Sequence, residues 1–274
     1  MNLQILFKEC DEREWYISDP KNVDYWDQHR DFSVDQLNVL SYGGGTQSTA
    51  MLLLIKKGYI SKPDIVIHSD TGSELPSTIE FIEIAKKFVE NELKIPFAIV
   101  SSHRGSLHED YFSKSHIPII GVGSCTSNFK IRPQRRLMRI IVGRKNKHLV
   151  NSMIGISIDE KDRRKQSDVK WVQLKYPLLD EFVYSRKECI LLNQLYGWDV
   201  QKSGCFCCPY QGSKSWLKLK NNYPELFEFA VKMEERKFMN KGGKLGLYQE
   251  RSLKEIDEVN LKDSNCDSGA GCFL

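Results

Sequence analysis

Hydrophobic and polar positions in this chain follow two alternating periods. Leu37-Asn38-Val39-Leu40-Ser41 predicts a short strand, and Gly43-Gly44-Gly45 follows it at once. Thr46–Lys57 then carries a stripe of Ala50, Leu53 and Leu54 that predicts a helix stopped by Gly58. Ile65–His68 predicts a second strand, ending in Asp70-Thr71-Gly72, and Pro76–Leu93 a helix with apolar residues near helical spacing. Phe97–Val100 and Ile154–Ile158 predict a third and a fourth strand. Ser185-Arg186-Lys187-Glu188 has the form of a capping box opening a helix that ends near Gly197, and a last helix runs from about Pro224 to Met239. Residues 1–36 are polar, with scattered aromatics and no period, and predict an extension.

Strands alternating with helices of this length predict an α/β fold, a parallel twisted sheet flanked by helices. Ligands in such sheets bind at the carboxyl ends of the strands, where the glycine run and the Asp70 turn both lie. A soft boundary near residue 200 separates this unit from a Cys-rich, mainly helical C-terminal region.

Composition excludes several classes. The 41% hydrophobic and 28% charged residues are ordinary for a globular protein, and a net charge of +4 is too small for a histone-like binder. The longest apolar run, Ala50–Ile55, falls far short of the roughly 20 residues that span a bilayer, and Met1–Cys10 has no signal-peptide core. A cytoplasmic protein without membrane association is expected. Its eight cysteines then read as metal ligands or redox groups rather than disulfides.

Ser41-Tyr42-Gly43-Gly44-Gly45-Thr46-Gln47-Ser48-Thr49 runs from strand to helix. Glycines let the backbone approach an oxyanion, and a helix N-terminus supplies unpaired N–H groups, so the loop suits phosphate; it also suits any tight turn. No Lys-Ser/Thr pair closes it as in a Walker A loop. The segment Gly43–Ser48 resembles the PP-loop of the adenine-nucleotide alpha-hydrolase superfamily, with Gly43 and Gln47 in place of its Ser and Asp. Gln47, together with Asp70-Thr71-Gly72 and the following Pro76 and Thr78, is similar to the phosphoadenosine phosphosulfate (PAPS) reductase family. The resemblance implies the Rossmann-like HUP/PP-loop fold over residues 37–200. It also implies a nucleotide site at Ser41, Gly43, Gly44, Gly45, Gln47, Ser48, Thr49, Asp70, Thr71 and Gly72.

Residues 111–158 contain no acid, while Lys130–Lys147 holds eight Lys or Arg. A one-signed helix of this kind faces an anion or is simply solvated. Lys130, Pro133 and Arg136 resemble the Lys-x-x-Pro-x-x-Arg of PAPS and adenylyl-sulfate reductases, which implies that Lys130 and Arg136 contact the anionic substrate. Arg163 and Arg164 resemble the family's substrate-arginine region, with Arg164 taken as the contact; their alternating charges also suit a solvated loop.

Cys125 precedes Ser203-Gly204-Cys205-Phe206-Cys207-Cys208-Pro209 by eighty residues. Sulfur-only donors favour an iron–sulfur cluster or zinc, and a metal-free redox dithiol is a further reading. By resemblance to the cluster-binding members, Cys125, Cys205 and Cys208 are expected ligands of a 4Fe-4S cluster, with Cys207 as the fourth and zinc as the alternative. Cys189, among Ile190, Leu191 and Leu192, reads as a core thiol. Cys266 and Cys272 mark the tail (201–274 forms the C-terminal unit); reductases of the family carry a mobile catalytic cysteine in a Glu-Cys-Gly context that this tail lacks, so Cys272 reads as that nucleophile, as an extra metal ligand or as part of a disordered tail.

The resemblance implies an enzyme that binds an adenine nucleotide, ATP or PAPS, and performs sulfur chemistry. Phosphosulfate reduction and ATP-dependent adenylation with sulfur transfer compete. Mg²⁺, a tRNA or DNA substrate and a homodimer are compatible additions. A zinc-stabilised binding module with a degenerate loop is the non-enzymatic alternative.

Overall fold

The protein is described here from a computed structural model that covers residues 36–142, 149–200, 203–243, 246–248 and 252–256. The 1–35 part of the expected extension and both tail cysteines, Cys266 and Cys272, lie outside these residues.

Five parallel strands form one sheet in the order β3-β2-β1-β4-β5: β1 (Gln36–Tyr42), β2 (Ile65–Asp70), β3 (Phe97–Ser101), β4 (Leu149–Ile154) and β5 (Val172–Lys175). Side-chain alternation along β1 sends Leu40 and Tyr42 to one face and Leu37 and Val39 to the other. The first face packs on α1 (Thr46–Lys56) and α2 (Pro76–Phe88), with Leu178 of α5 (Pro177–Asp180) and the buried Cys189 of α6 (Arg186–Leu195) in the same cluster. The second face packs on Leu137, Met138, Ile141 and Val142 of α4 (Arg132–Val142). Helices thus cover both faces, as the alternating pattern predicts.

Most predicted elements stand within a few residues of their predicted bounds. The α2 helix continues through a wider π turn, Val89–Leu93, to the expected end. The Ser185 capping box forms as read: Glu188 N–H donates to the Ser185 hydroxyl, and the Ser185 N–H donates back to the Glu188 carboxylate. The fourth strand differs. It occupies Leu149–Ile154, and Gly155–Ile158 is already outside the sheet. Two polar residues inside it, Asn151 and Ser152, pair with Asn38 and Ser41 of β1 at 2.9 Å each, so a buried strand lacks the apolar run that marks its neighbours.

Beyond residue 203 the chain does not pack on itself alone. Helices α7 (Ser213–Asn222) and α8 (Pro224–Lys241) share one core with α3 (Leu107–Ser113) and Phe129. Cys205, Phe206 and Cys207 are buried within that core. Glu234 of α8 fastens the last described segments, accepting hydrogen bonds from Leu247 N–H (2.6 Å) and Leu253 N–H (3.0 Å). Burial raises its carboxyl above the ordinary range, partly opposed by those donors. The folded chain therefore holds this proton more tightly than the unfolded one. Its contribution to stability should fall as pH rises from the usual glutamate value through the raised one. Glu234→Gln should flatten this dependence, read by urea unfolding at a series of pH values from 4 to 8.

Candidate functional site

The strand order reverses between β1 and β4, so their carboxyl ends diverge and leave a crevice. The glycine run fills the β1 side of it. Gly44 takes φ +70°, a left-handed conformation that favours glycine, and Gly45 caps the N-terminus of α1. Thr49 N–H bonds to Gly45 C=O at 3.0 Å, and the Ser48 hydroxyl donates to the same carbonyl at 3.1 Å. On the β4 side, Gly155 abuts the same helix end: a Cβ there would lie 2.8 Å from Ser48 N and 3.1 Å from the Gln47 carbonyl carbon. Both are backbone atoms and cannot swing aside. Gly155→Ala should displace the start of α1, lowering stability by about 1–3 kcal/mol. Thermal melts should show the loss, and ATP affinity should weaken with it.

A cleft of about 120 Å³ opens between these two turns. The loop residues Gly43, Gly45, Thr46, Gln47 and Ser48 form one wall, and Lys130, Arg163, Lys165 and Arg186 bring four cationic side chains to it. Its acid is Glu160, which is buried, accepts from Gln47 Nε2 at 2.9 Å and pairs with Arg163 at 2.7 Å. Ile154, Ile156, Leu174 and Tyr176 supply an apolar wall from the ends of β4 and β5. Oriented backbone donors beside several cations and one neutralised carboxylate make a site for a polyanion with an apolar end.

The Asp70 turn carries the cysteines. Asp70 accepts from Gly72 N–H at 2.7 Å, and Glu74 accepts from the N–H groups of Thr71 and Ser73. Glu74 and Cys205 then form an antiparallel bridge, Phe206 N–H donates to Ser73 C=O at 2.9 Å, and the Thr71 hydroxyl lies 3.2 Å from Cys205 Sγ. Cys125, on the short turn before α4, joins Cys205, Cys207 and Cys208 around one small cavity walled by Leu107, Pro118 and Pro209. The donor set is all sulfur, which fits zinc or an iron–sulfur cluster in its chemistry. Among the described residues no three His, Cys, Asp or Glu side chains are grouped as metal ligands. Burial pushes the Tyr111 phenol up despite its hydrogen bond to Ser124.

Lys130 joins the two halves. It lines the loop cleft, the cysteine cavity and a small pocket between them that also holds His68 and Glu74. The Ser69 hydroxyl donates to the Lys130 carbonyl at 2.9 Å and fixes this turn against β2. Burial holds the His68 imidazole below its ordinary value, and its Nδ1 lies 2.9 Å from the Tyr42 carbonyl. Ser203 also lines a larger chamber of about 280 Å³ that opens beside Cys205 and Cys208.

The residues predicted from sequence divide accordingly. Gly43, Gly45, Gln47, Ser48 and Lys130 share the loop cleft. Ser41 faces α4, its hydroxyl 2.8 Å from Gln134 Oε1, and Thr49 is buried against the Tyr42 hydroxyl at 3.0 Å. Asp70, Thr71 and Gly72 build the turn under the cysteine segment. Arg136 is exposed on α4, while Arg135 pairs with Asp168 and Arg139 stacks on Trp171 at 3.9 Å. Arg163 lines the cleft, whereas Arg164 forms a two-pronged bond to Asp180 at 2.7 and 3.2 Å. Glu160, Lys165, Arg186 and Ser203 also line the cleft, and no sequence motif marks them as a set. Of these only Ser203 carried a signal, its place directly before Gly204-Cys205.

A sequence model of the phosphoadenosine phosphosulfate reductase domain family matches residues 37–211. Among curated proteins, an uncharacterized protein of Methanocaldococcus jannaschii is 26% identical over 211 residues, covering 72% of this chain and 47% of that protein. The chain thus spans about half the length of that relative. Among solved structures, the phosphate complex of the PAPS reductase of Candida auris aligns over 67% of this chain and 81% of its own, with TM-score 0.41 and 15% identity. The U34-tRNA thiolase NcsA of Methanococcus maripaludis, solved with its 4Fe-4S cluster, aligns over 92% and 86%, with TM-score 0.38 and 16% identity. Among the described residues no helix is long and apolar enough to cross a membrane.

Proposed function

The chain belongs to the phosphoadenosine phosphosulfate reductase domain family, and from that premise we propose that it is an adenine-nucleotide-dependent enzyme of sulfur transfer. The carrying observation is the shared wall: Lys130 lines both the loop cleft and the cavity of Cys125, Cys205, Cys207 and Cys208. A nucleotide held by its phosphates on the loop then has its reacting end beside sulfur.

In this reading ATP, with Mg²⁺, lies in the cleft. Backbone N–H groups of Gly43–Gly45 and the start of α1 hold phosphate oxygens, and Lys130, Arg163, Lys165 and Arg186 balance their charge. Glu160 holds Gln47 and Arg163 in place for that task. An acceptor oxygen attacks the α-phosphorus, pyrophosphate leaves, and hydrosulfide then displaces AMP from the activated carbon. A C–O bond is exchanged for C–S with no net oxidation. Cys125, Cys205, Cys207 and Cys208 would hold a 4Fe-4S cluster, which supplies a thiophilic centre when bound; zinc is the alternative occupant. The large chamber beside Cys205 and Cys208 favours transfer to a second substrate, because phosphosulfate reduction needs no such room.

One observation favours the reductase reading instead. Gln47 Nε2 donates to Glu160, so this position offers no carboxylate to the magnesium of a triphosphate. Under that reading Cys272 is the attacking thiolate. The two separate by product. The transfer reading predicts pyrophosphate from ATP when sulfide and acceptor are present. Sulfite from PAPS without pyrophosphate from ATP would overturn it, and neither product from metal-replete protein would favour a binding module.

A further inference from the structure

Three polar side chains meet where the sheet packs on α4, within a face that is otherwise apolar. Ser41, Ser152 and Gln134 are each at most 4% exposed. The Ser41 hydroxyl donates to Gln134 Oε1 at 2.8 Å and lies 2.9 Å from the Ser152 hydroxyl, so one hydrogen-bonded chain joins β1, β4 and α4. Around it stand Ile131, Met138, Ile154, Val172 and Leu174. The Gln134 amide nitrogen has no hydrogen-bond partner among the described residues. A buried donor left unmet destabilises a fold. An apolar side chain would pack at this place without that cost, as Leu137 and Met138 do in the next turn. Packing alone therefore does not account for the amide.

Each member of the chain adjoins a wall of the loop cleft. Ser41 lies two residues before Gly43, Ser152 two residues before Ile154, and Gln134 one turn after Lys130. Gly43, Ile154 and Lys130 all line the cleft. Lys130 is braced from β2 as well, where the Ser69 hydroxyl donates to its carbonyl at 2.9 Å. A buried network that crosses several elements fixes their relative placement more firmly than separate pairs do. We propose that Gln134 is a positioning residue: through Ser41 and Ser152 it sets where Lys130 stands against the glycine loop, so that the ammonium meets the reacting end of a bound nucleotide. Ser41 then serves the nucleotide through this joint rather than by the direct contact that the family resemblance implies. The inference rests on the nucleotide-binding part of the proposed function, and not on which sulfur chemistry follows.

The test reads Lys130 itself and needs no turnover. The full chain, purified anaerobically, is trace-acetylated with and without a saturating non-hydrolysable ATP analogue, and modification at each lysine is measured by mass spectrometry. In the wild type the analogue should protect Lys130 and Lys165, which line the same cleft, by at least about tenfold, because a charge-assisted bond to phosphate ties up the amine. In Gln134→Met the protection of Lys130 should fall to about threefold or less as that bond is lost, while Lys165 stays protected. The urea midpoint of this variant should remain at or above the wild-type value, since the unmet donor is gone. Ser41→Ala, which breaks the chain at its middle, should reproduce the selective loss. Undiminished protection of Lys130 in either folded variant would overturn the inference and leave the nucleotide reading standing. Equal loss at both lysines would also overturn it, because the whole cleft would then have weakened. No protection of Lys165 in the wild type would overturn the nucleotide reading, and the inference with it.

Discussion

Lys130→Ala should lower kcat by about 100- to 1,000-fold, the loss expected when a charge aimed at a developing oxyanion is removed. The lysine lies on the π turn Ser127–Ile131, held against β2 by the Ser69 hydroxyl, so its backbone should survive the substitution. It lines the cleft, the central pocket and the cysteine cavity, so in the sulfur-transfer reading its charge acts at the reacting end rather than along the whole polyanion. Nucleotide affinity should therefore fall far less than turnover, since Arg163, Lys165, Arg186 and the loop N–H groups remain. Lys130→Arg should restore part of the rate. Steady-state kinetics on both variants check this: equal losses in affinity and rate would reduce Lys130 to a general anion contact.

Cys205→Ser and Cys125→Ser should each empty the protein of iron and abolish turnover, by more than the roughly 10- to 100-fold that loss of a partner outside the ligand shell costs. Cys189→Ser supplies the contrast. Cys189 is buried in the sheet-facing cluster of α6, where burial pushes its thiol up to about 12. A thiol so reluctant to ionise is a poor ligand. Iron and acid-labile sulfide per folded protein should be unchanged in Cys189→Ser and lost in the other two. Zinc in place of iron would shift the identity of the metal but leave the same pair of cysteines essential.

Local signals carried the parts of the site that depend on neighbours in sequence. A strand, three glycines and an amphipathic helix specify the loop, and Ser185 with Glu188 specifies its own cap. Signals failed where folding joins distant polar groups. Asn151 and Ser152 hide β4 because their partners, Asn38 and Ser41, lie more than a hundred residues earlier. The four-residue β5 presents half-buried, alternating Val172-Gln173-Leu174-Lys175 and offers too short a pattern to stand out. Arg163 and Arg164 look alike in sequence. A 3₁₀ turn and an ion pair to Glu160 send the first toward the cleft, while Asp180 draws the second outward. Arg186 reads as a helix-opening residue, and only the return of α6 to the crevice gives it a second use. The cysteines were legible as a set, because thiols crowded in one segment have few structural uses. Their attachment to the Asp70 turn through Ser73, Glu74 and Thr71 was not, since those bonds are made mainly by backbone atoms.

In the proposed function, one nucleotide and one sulfur-rich pocket share Lys130 as their partition. A crystal structure of the anaerobically purified protein with a non-hydrolysable ATP analogue tests this most directly. It should reveal phosphates against Gly43–Thr46, with Lys130 between them and a metal centre held by Cys125 and the Cys205–Cys208 segment. Phosphates seated away from the glycine loop, or a metal centre on the far side of the protein from them, would contradict it.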